Sequence, residues 1–114
     1  MDIQKLFDND VPAWLTANAA TARRVGAKYG FNITGDGGGK WFLDLSSTGP
    51  QIERSAGQRA DCTITISAAY FETLCGNLAA GESLYYSGRL WVSGDEMLAL
   101  NLRDVLQRIK TAVG

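Results

Sequence analysis

Acid–base and nucleophilic catalysis near neutral pH most often rests on an imidazole, and this chain contains no histidine. That removes Ser–His and Cys–His nucleophile pairs and the usual nitrogen ligands of zinc. What remains for acid–base work is a carboxylate beside a phenol: Asp95 or Glu96 with Tyr85 or Tyr86. Such a pair could act on an apolar substrate if a greasy cavity raised the carboxyl pKa. Asp95 also stands where a helix cap or first-turn acid is wanted, a simpler role for the same residue. Cys62 and Cys75 fit neither a C-x-x-C redox pair nor a zinc pattern; one falls in an alternating strand and the other ends a helical stretch. They read as small buried hydrophobes. The glycine run Gly35–Gly39 invites a phosphate loop, but Thr34 and Trp41 stand where that motif needs Gly and Ser or Thr. The run is a hairpin turn. No catalytic residue, metal or cofactor is expected.

The elements that would position any site converge on Ser87–Leu106. Leu90 and Val92 alternate with Arg89, Trp91 and Ser93, the two-residue period of a half-buried strand. Gly94 breaks the extended run, and Ser93 or Asp95 can cap the helix that follows. Leu98, Leu102, Val105 and Ile109 then draw one apolar stripe, while Met97 and Leu100 flank and widen it. The helix thus carries more apolar surface than one packing contact uses. A sheet, a partner or a bound lipid must cover the excess.

Upstream, 1–18 reads as helix with a restart at Pro12, and Thr21–Val25 as a further short helix. Tyr29, Phe31 and Ile33 alternate as a first strand, and Trp41, Leu43 and Leu45 as a second across the glycine turn. Gln51–Arg54 is a weak third strand. Cys62, Ile64 and Ile66 mark a fourth, leading through the N-cap Ser67 into a helix over Ala68–Cys75. Ala79–Tyr86 is a short helix presenting Leu84, Tyr85 and Tyr86. This order predicts an α+β fold: a mainly antiparallel sheet with helices on one face. The 114 residues suffice for a single domain with a real core. A net charge of −1 provides no field for nucleic acid, so none is expected as a partner. No apolar run approaches the roughly 18 residues of a membrane span, and the acidic start lacks a signal-peptide pattern. A cytoplasmic protein is the expectation.

Three stretches together resemble the sterol carrier protein type 2 domain, also called the non-specific lipid-transfer domain. They are Gly38-Gly-Lys-Trp-Phe-Leu-Asp-Leu45, Ala60-Asp-Cys-Thr-Ile-Thr-Ile-Ser67 and Ser87-Gly-Arg-Leu-Trp-Val-Ser-Gly-Asp95. The likeness runs from Phe7 through Leu106. Trp91 departs from it, standing where a polar or basic residue is expected, and the C-terminal signal of peroxisomal members is absent. The resemblance implies a five-stranded sheet covered on one face by helices, with an apolar tunnel between them. It also implies non-covalent binding, and possible transfer, of fatty acids, acyl-CoAs, sterols or phospholipids, so the chain is not expected to be an enzyme.

The apolar ligand site is then expected to be lined by Phe71, Leu74, Leu84, Tyr85, Met97, Leu98, Leu102, Val105 and Leu106. The same residues could instead form an ordinary filled core, which would make the domain an interaction or accessory module. Phe42 and Trp91 point away from the core-facing residues of their strands. They are expected to form an exposed aromatic patch, a surface for a dimer or partner protein unless it is local cross-strand packing. Transient membrane contact is the remaining expectation about partners.

Overall fold

The computed structural model describes residues 2–55 and 59–113; Met1, the start of the expected first helix, and Gly114, the end of the expected domain, lie outside them. The N-terminal helical region runs as α1 (Ile3–Lys5), a π-helical turn (Leu6–Asp10) and α2 (Val11–Ala17), followed by α3 (Ala19–Arg23). The π turn has a local cause. Pro12 has no N–H to donate, and its ring would press on the carbonyl four residues back, at Asp8. The backbone widens by one residue instead, and the Val11 N–H reaches the Leu6 carbonyl. Asn18 interrupts the helix with extended-side φ, so α3 starts two residues earlier than the expected Thr21. Gly26, at φ +69°, turns the chain into the sheet.

The strands are β1 (Ala27–Thr34), β2 (Gly39–Leu45), β3 (Gln51–Arg54), β4 (Cys62–Ser67) and β5 (Leu90–Gly94), in spatial order β3-β2-β1-β4-β5. Three neighbouring pairs are antiparallel, and β1 with β4 is parallel. The fold is therefore α+β with a five-stranded, mostly antiparallel sheet, as expected. Between β4 and β5 lie α4 (Ala68–Gly76), a 3₁₀ turn (Leu78–Ala80) and α5 (Gly81–Tyr86); α6 (Glu96–Val113) follows β5. Ser67 caps α4 by accepting from the Tyr70 N–H, and Asp95 Oδ1 accepts from the Met97 N–H at 3.0 Å at the start of α6.

The helices cover the face on which Tyr29, Phe31, Ile33, Trp41, Leu43, Cys62, Ile64 and Ile66 point inward and are buried. Phe7 sits at the centre, 4.5 Å from the Trp41 ring, 5.0 Å from Phe31 and 5.5 Å from Phe71. Gly39 makes room for this packing: a Cβ there would stand 2.8 Å from the Trp41 ring. The indole N–H of Trp41 donates to Asp8 Oδ1 at 2.9 Å, and Arg54 forks onto the same carboxylate from the sheet edge. Arg54 holds the Asp8 carboxyl below its ordinary pKa, with the indole adding to the effect.

The outer face corrects one expectation. Phe42 does point away from the helices, but it is buried at 9% exposure, whereas Trp91 is 69% exposed. The outer face is not bare near Phe42. Ala60, on the way from β3 to β4, lies over Gly30, the residue paired with Phe42, at 3.6 Å from where a Gly30 Cβ would be. Trp91, on β5, pairs with Thr65 of β4, so two strands and roughly 14 Å separate it from Phe42 on β2. They do not form one patch.

Candidate functional site: an apolar cleft under the last helix

The inward row Phe31–Ile64–Val92 crosses β1, β4 and β5 in register, and Leu90 extends it one position along β5. These four residues floor a cleft of about 460 Å³. Phe71 and Leu74 of α4 close one side, and Gly81, Glu82, Tyr85 and Tyr86 of α5 another. Gly81 packs against Leu74 of α4: a Cβ there would lie in ordinary van der Waals contact, 3.4 Å from Leu74 Cδ1.

The remaining wall is α6, which uses two faces. Leu102, Val105 and Ile109 are buried in the core. Offset from them around the helix, Glu96, Met97, Ala99, Leu100, Arg103 and Leu106 face the cleft, and Leu102 borders both. The surplus apolar surface expected of this helix is real: Met97 is 66% and Leu100 52% exposed at the mouth, beside Tyr86 at 77%. Tyr29, buried in the sheet, anchors the wall by donating its hydroxyl to the Leu98 carbonyl at 2.8 Å. Burial raises the pKa of this phenol, so it stays a donor.

Of the nine residues expected to line a ligand site, the structure brings Phe71, Leu74, Tyr85, Met97, Leu102 and Leu106 together around the cleft. It places Leu84 and Val105 in the core, and Leu98 packs against that core. The sheet floor was missed. Its residues were read as strand interiors, and only the strand order brings Phe31, Ile64, Leu90 and Val92 under α5 and α6. Arg103 was missed as well, although its seven-residue offset from Glu96 on a helix was a usable signal.

The polar groups of the cleft are at its edge. Tyr85 Oη donates to Glu96 Oε1 at 2.8 Å, tying α5 to the first turn of α6. That hydrogen bond raises the Tyr85 pKa. The phenol–carboxylate pairing expected from sequence thus exists, but as an exposed clasp in which the phenol already spends its proton on the carboxylate. Cys62 and Cys75 are both buried, and burial pushes the Cys62 thiol up to about 11. Among the described residues no group of His, Cys, Asp and Glu is arranged to hold a metal, and no helix is long and apolar enough to cross a membrane.

Residues 10–107 match the model of the SCP-2 sterol transfer family. The chain belongs to that family. The mouse protein named hydroxysteroid dehydrogenase-like protein 2 is 28% identical over 90 residues, covering 78% of this chain and 18% of its own. The chain spans about a fifth or less of the length of the curated relatives it matches. Sterol carrier protein 2 from Yarrowia lipolytica, in its apo form, superposes with a TM-score of 0.68 at 25% identity, over 95% of this chain and 86% of its own. Palmitated SCP2L2 from Aedes aegypti gives 0.70 at 21% identity, over 93% of this chain and 95% of its own. Lipid binding is the general property these findings support.

Proposed function

We propose that the cleft is a lipid-binding site, a tunnel or groove between sheet and helices, in which the hydrocarbon part of a fatty acid or similar lipid is held without covalent chemistry. The observation that carries this reading is the second apolar face of α6, turned over a floor of Phe31, Ile64, Leu90 and Val92 with its exposed edge at the cleft mouth. A volume of about 460 Å³ falls in the range of small-molecule sites. The palmitated state of the mosquito neighbour supports the same class of ligand. Burying about ten methylenes would contribute roughly 8 kcal/mol at ~0.8 each, equivalent to a dissociation constant of about 1 μM, and association costs weaken binding below that. That range suits a carrier that also releases its cargo. The reading is non-catalytic because the Tyr85–Glu96 phenol–carboxylate pair at the cleft serves as a clasp between helices.

Native mass spectrometry of freshly purified protein, with an organic extract identified in parallel, tests the proposal. A stoichiometric lipid adduct, or uptake of added palmitate by protein stripped of lipid, is expected. Stripped protein that takes up neither fatty acid nor acyl-CoA would mean that the cleft holds no lipid, and the accessory-module reading would then stand.

A further inference from the structure

Arg103 lies on the cleft face of α6 two turns beyond Glu96, about 10 Å further along the helix axis. It is the only cation among the described residues that line the cleft. It is exposed and has no hydrogen bond or ion pair with any described residue. Outside the cleft, Arg54 is engaged with Asp8, Arg23 with the Gly49 carbonyl at 2.8 Å and Arg89 with the Tyr70 hydroxyl at 2.6 Å, while Arg24 and Arg108, like Arg103, make no hydrogen bond or ion pair with a described residue. The carboxylates of the cleft do not satisfy Arg103. Glu96 is clasped by Tyr85, and neither Glu82 nor Glu96 forms an ion pair with the guanidinium. The cleft therefore has a polarity along α6, with a carboxylate at the start of the helix and an unpaired cation two turns on.

From this polarity we propose that Arg103 anchors the head group of a monoanionic single-chain lipid, a fatty carboxylate, whose chain lies on the Phe31–Ile64–Val92 floor. The proposal rests on the cleft being the lipid site. A guanidinium fork matches a carboxylate with two parallel hydrogen bonds. Hydrocarbon on one side of the pair removes water and strengthens it. A neutral head gains little from the fork. A dianionic phosphate monoester gains the fork too, but it meets twice the repulsion from Glu82 and Glu96. Arg103 thus sets both the orientation of the lipid and the charge of its head.

The test is displacement of a neutral dye, Nile red, from the full chain by laurate, dodecanol or dodecyl phosphate at low salt. Wild type is expected to bind laurate about 5-fold more tightly than dodecanol, a ratio that shrinks in high salt. R103Q should weaken laurate alone and bring the two ligands to parity. R103K, which keeps the charge and loses the fork, should fall between. Parity in wild type, equal weakening of both ligands by R103Q, or tightest binding of dodecyl phosphate would overturn the assignment. In each of those cases binding itself survives and so does the lipid reading. Displacement by none of the three ligands would refute that reading and the assignment together.

Discussion

Ala99 faces the cleft between Glu96 and Leu102 on α6 and is only partly buried, so a larger side chain there can grow into the cavity without disturbing the core. Ala99→Phe places a phenyl ring where a lipid chain is proposed to lie. If a methylene occupies about the space of a water molecule, roughly 30 Å³, the cleft of about 460 Å³ holds about 15 carbons. The added ring takes the room of roughly five. Each buried methylene contributes ~0.8 kcal/mol, and freezing its bond removes about half, leaving ~0.4 kcal/mol or about 2-fold in affinity. Wild-type affinity for saturated fatty acids should therefore double with each added carbon and level off near C15. In Ala99→Phe the plateau should move to about C10, with palmitate weakened by ~2 kcal/mol, roughly 30-fold. Octanoate should bind both proteins alike. Dye displacement or calorimetry over the C8–C18 series measures this directly. An unchanged plateau in the variant would show that the chain lies elsewhere. A flat dependence in wild type would show that no chain is buried at all.

Three further outcomes follow from contacts outside the cleft. Asp8→Ala leaves the buried indole N–H of Trp41 and the Arg54 fork without their acceptor, and should cost ~2 kcal/mol in denaturant unfolding. Because the folded Asp8 carboxyl titrates below its ordinary value, its contribution is full above about pH 4 and is lost as pH falls through the lower folded pKa. The variant should accordingly lose less stability on acidification than wild type, and parallel pH profiles would contradict the assignment. Tyr29→Phe removes the hydroxyl that holds the Leu98 carbonyl; it should cost ~1 kcal/mol and raise amide exchange in the first turns of α6, and unchanged exchange would count against the anchor. Cys62, buried with its thiol pushed up to about 11, should resist a thiol reagent near pH 8 until denaturant is added, whereas rapid labelling in buffer would contradict its burial.

Much of this architecture was legible from local pattern because local chemistry decides it. Alternation at Cys62–Ile66 and the cap at Ser67 sit where the sequence reading puts them, and the helix that follows runs one residue past the expected Cys75, to Gly76. Gln51–Arg54, a weak pattern, is strand because Leu43 pairs with Ile52 in a register set by the preceding turn. Features that depend on distant partners were not legible. The parallel pairing of β1 with β4 needs a crossover from β3, and that same crossover brings Ala60 onto the outer face near Phe42. The helical period alone could not show that Pro12 would open a π turn rather than restart the helix cleanly. At the site, the walls from α4 and α6 follow from helix faces. The floor follows only from strand order.

The two faces of α6 also tie the protein's own endurance to its cargo. One stripe is satisfied by the sheet, while the other leaves Met97 and Leu100 facing water when the cleft is empty. On the proposed reading, a bound chain completes a core that the polypeptide leaves unfinished. A ligand held only by the folded state, at a hundred times its dissociation constant, adds about 2.7 kcal/mol to stability. Loaded molecules would then resist heat and proteases while empty ones open at α6, so the standing population of the protein would follow the supply of its lipid.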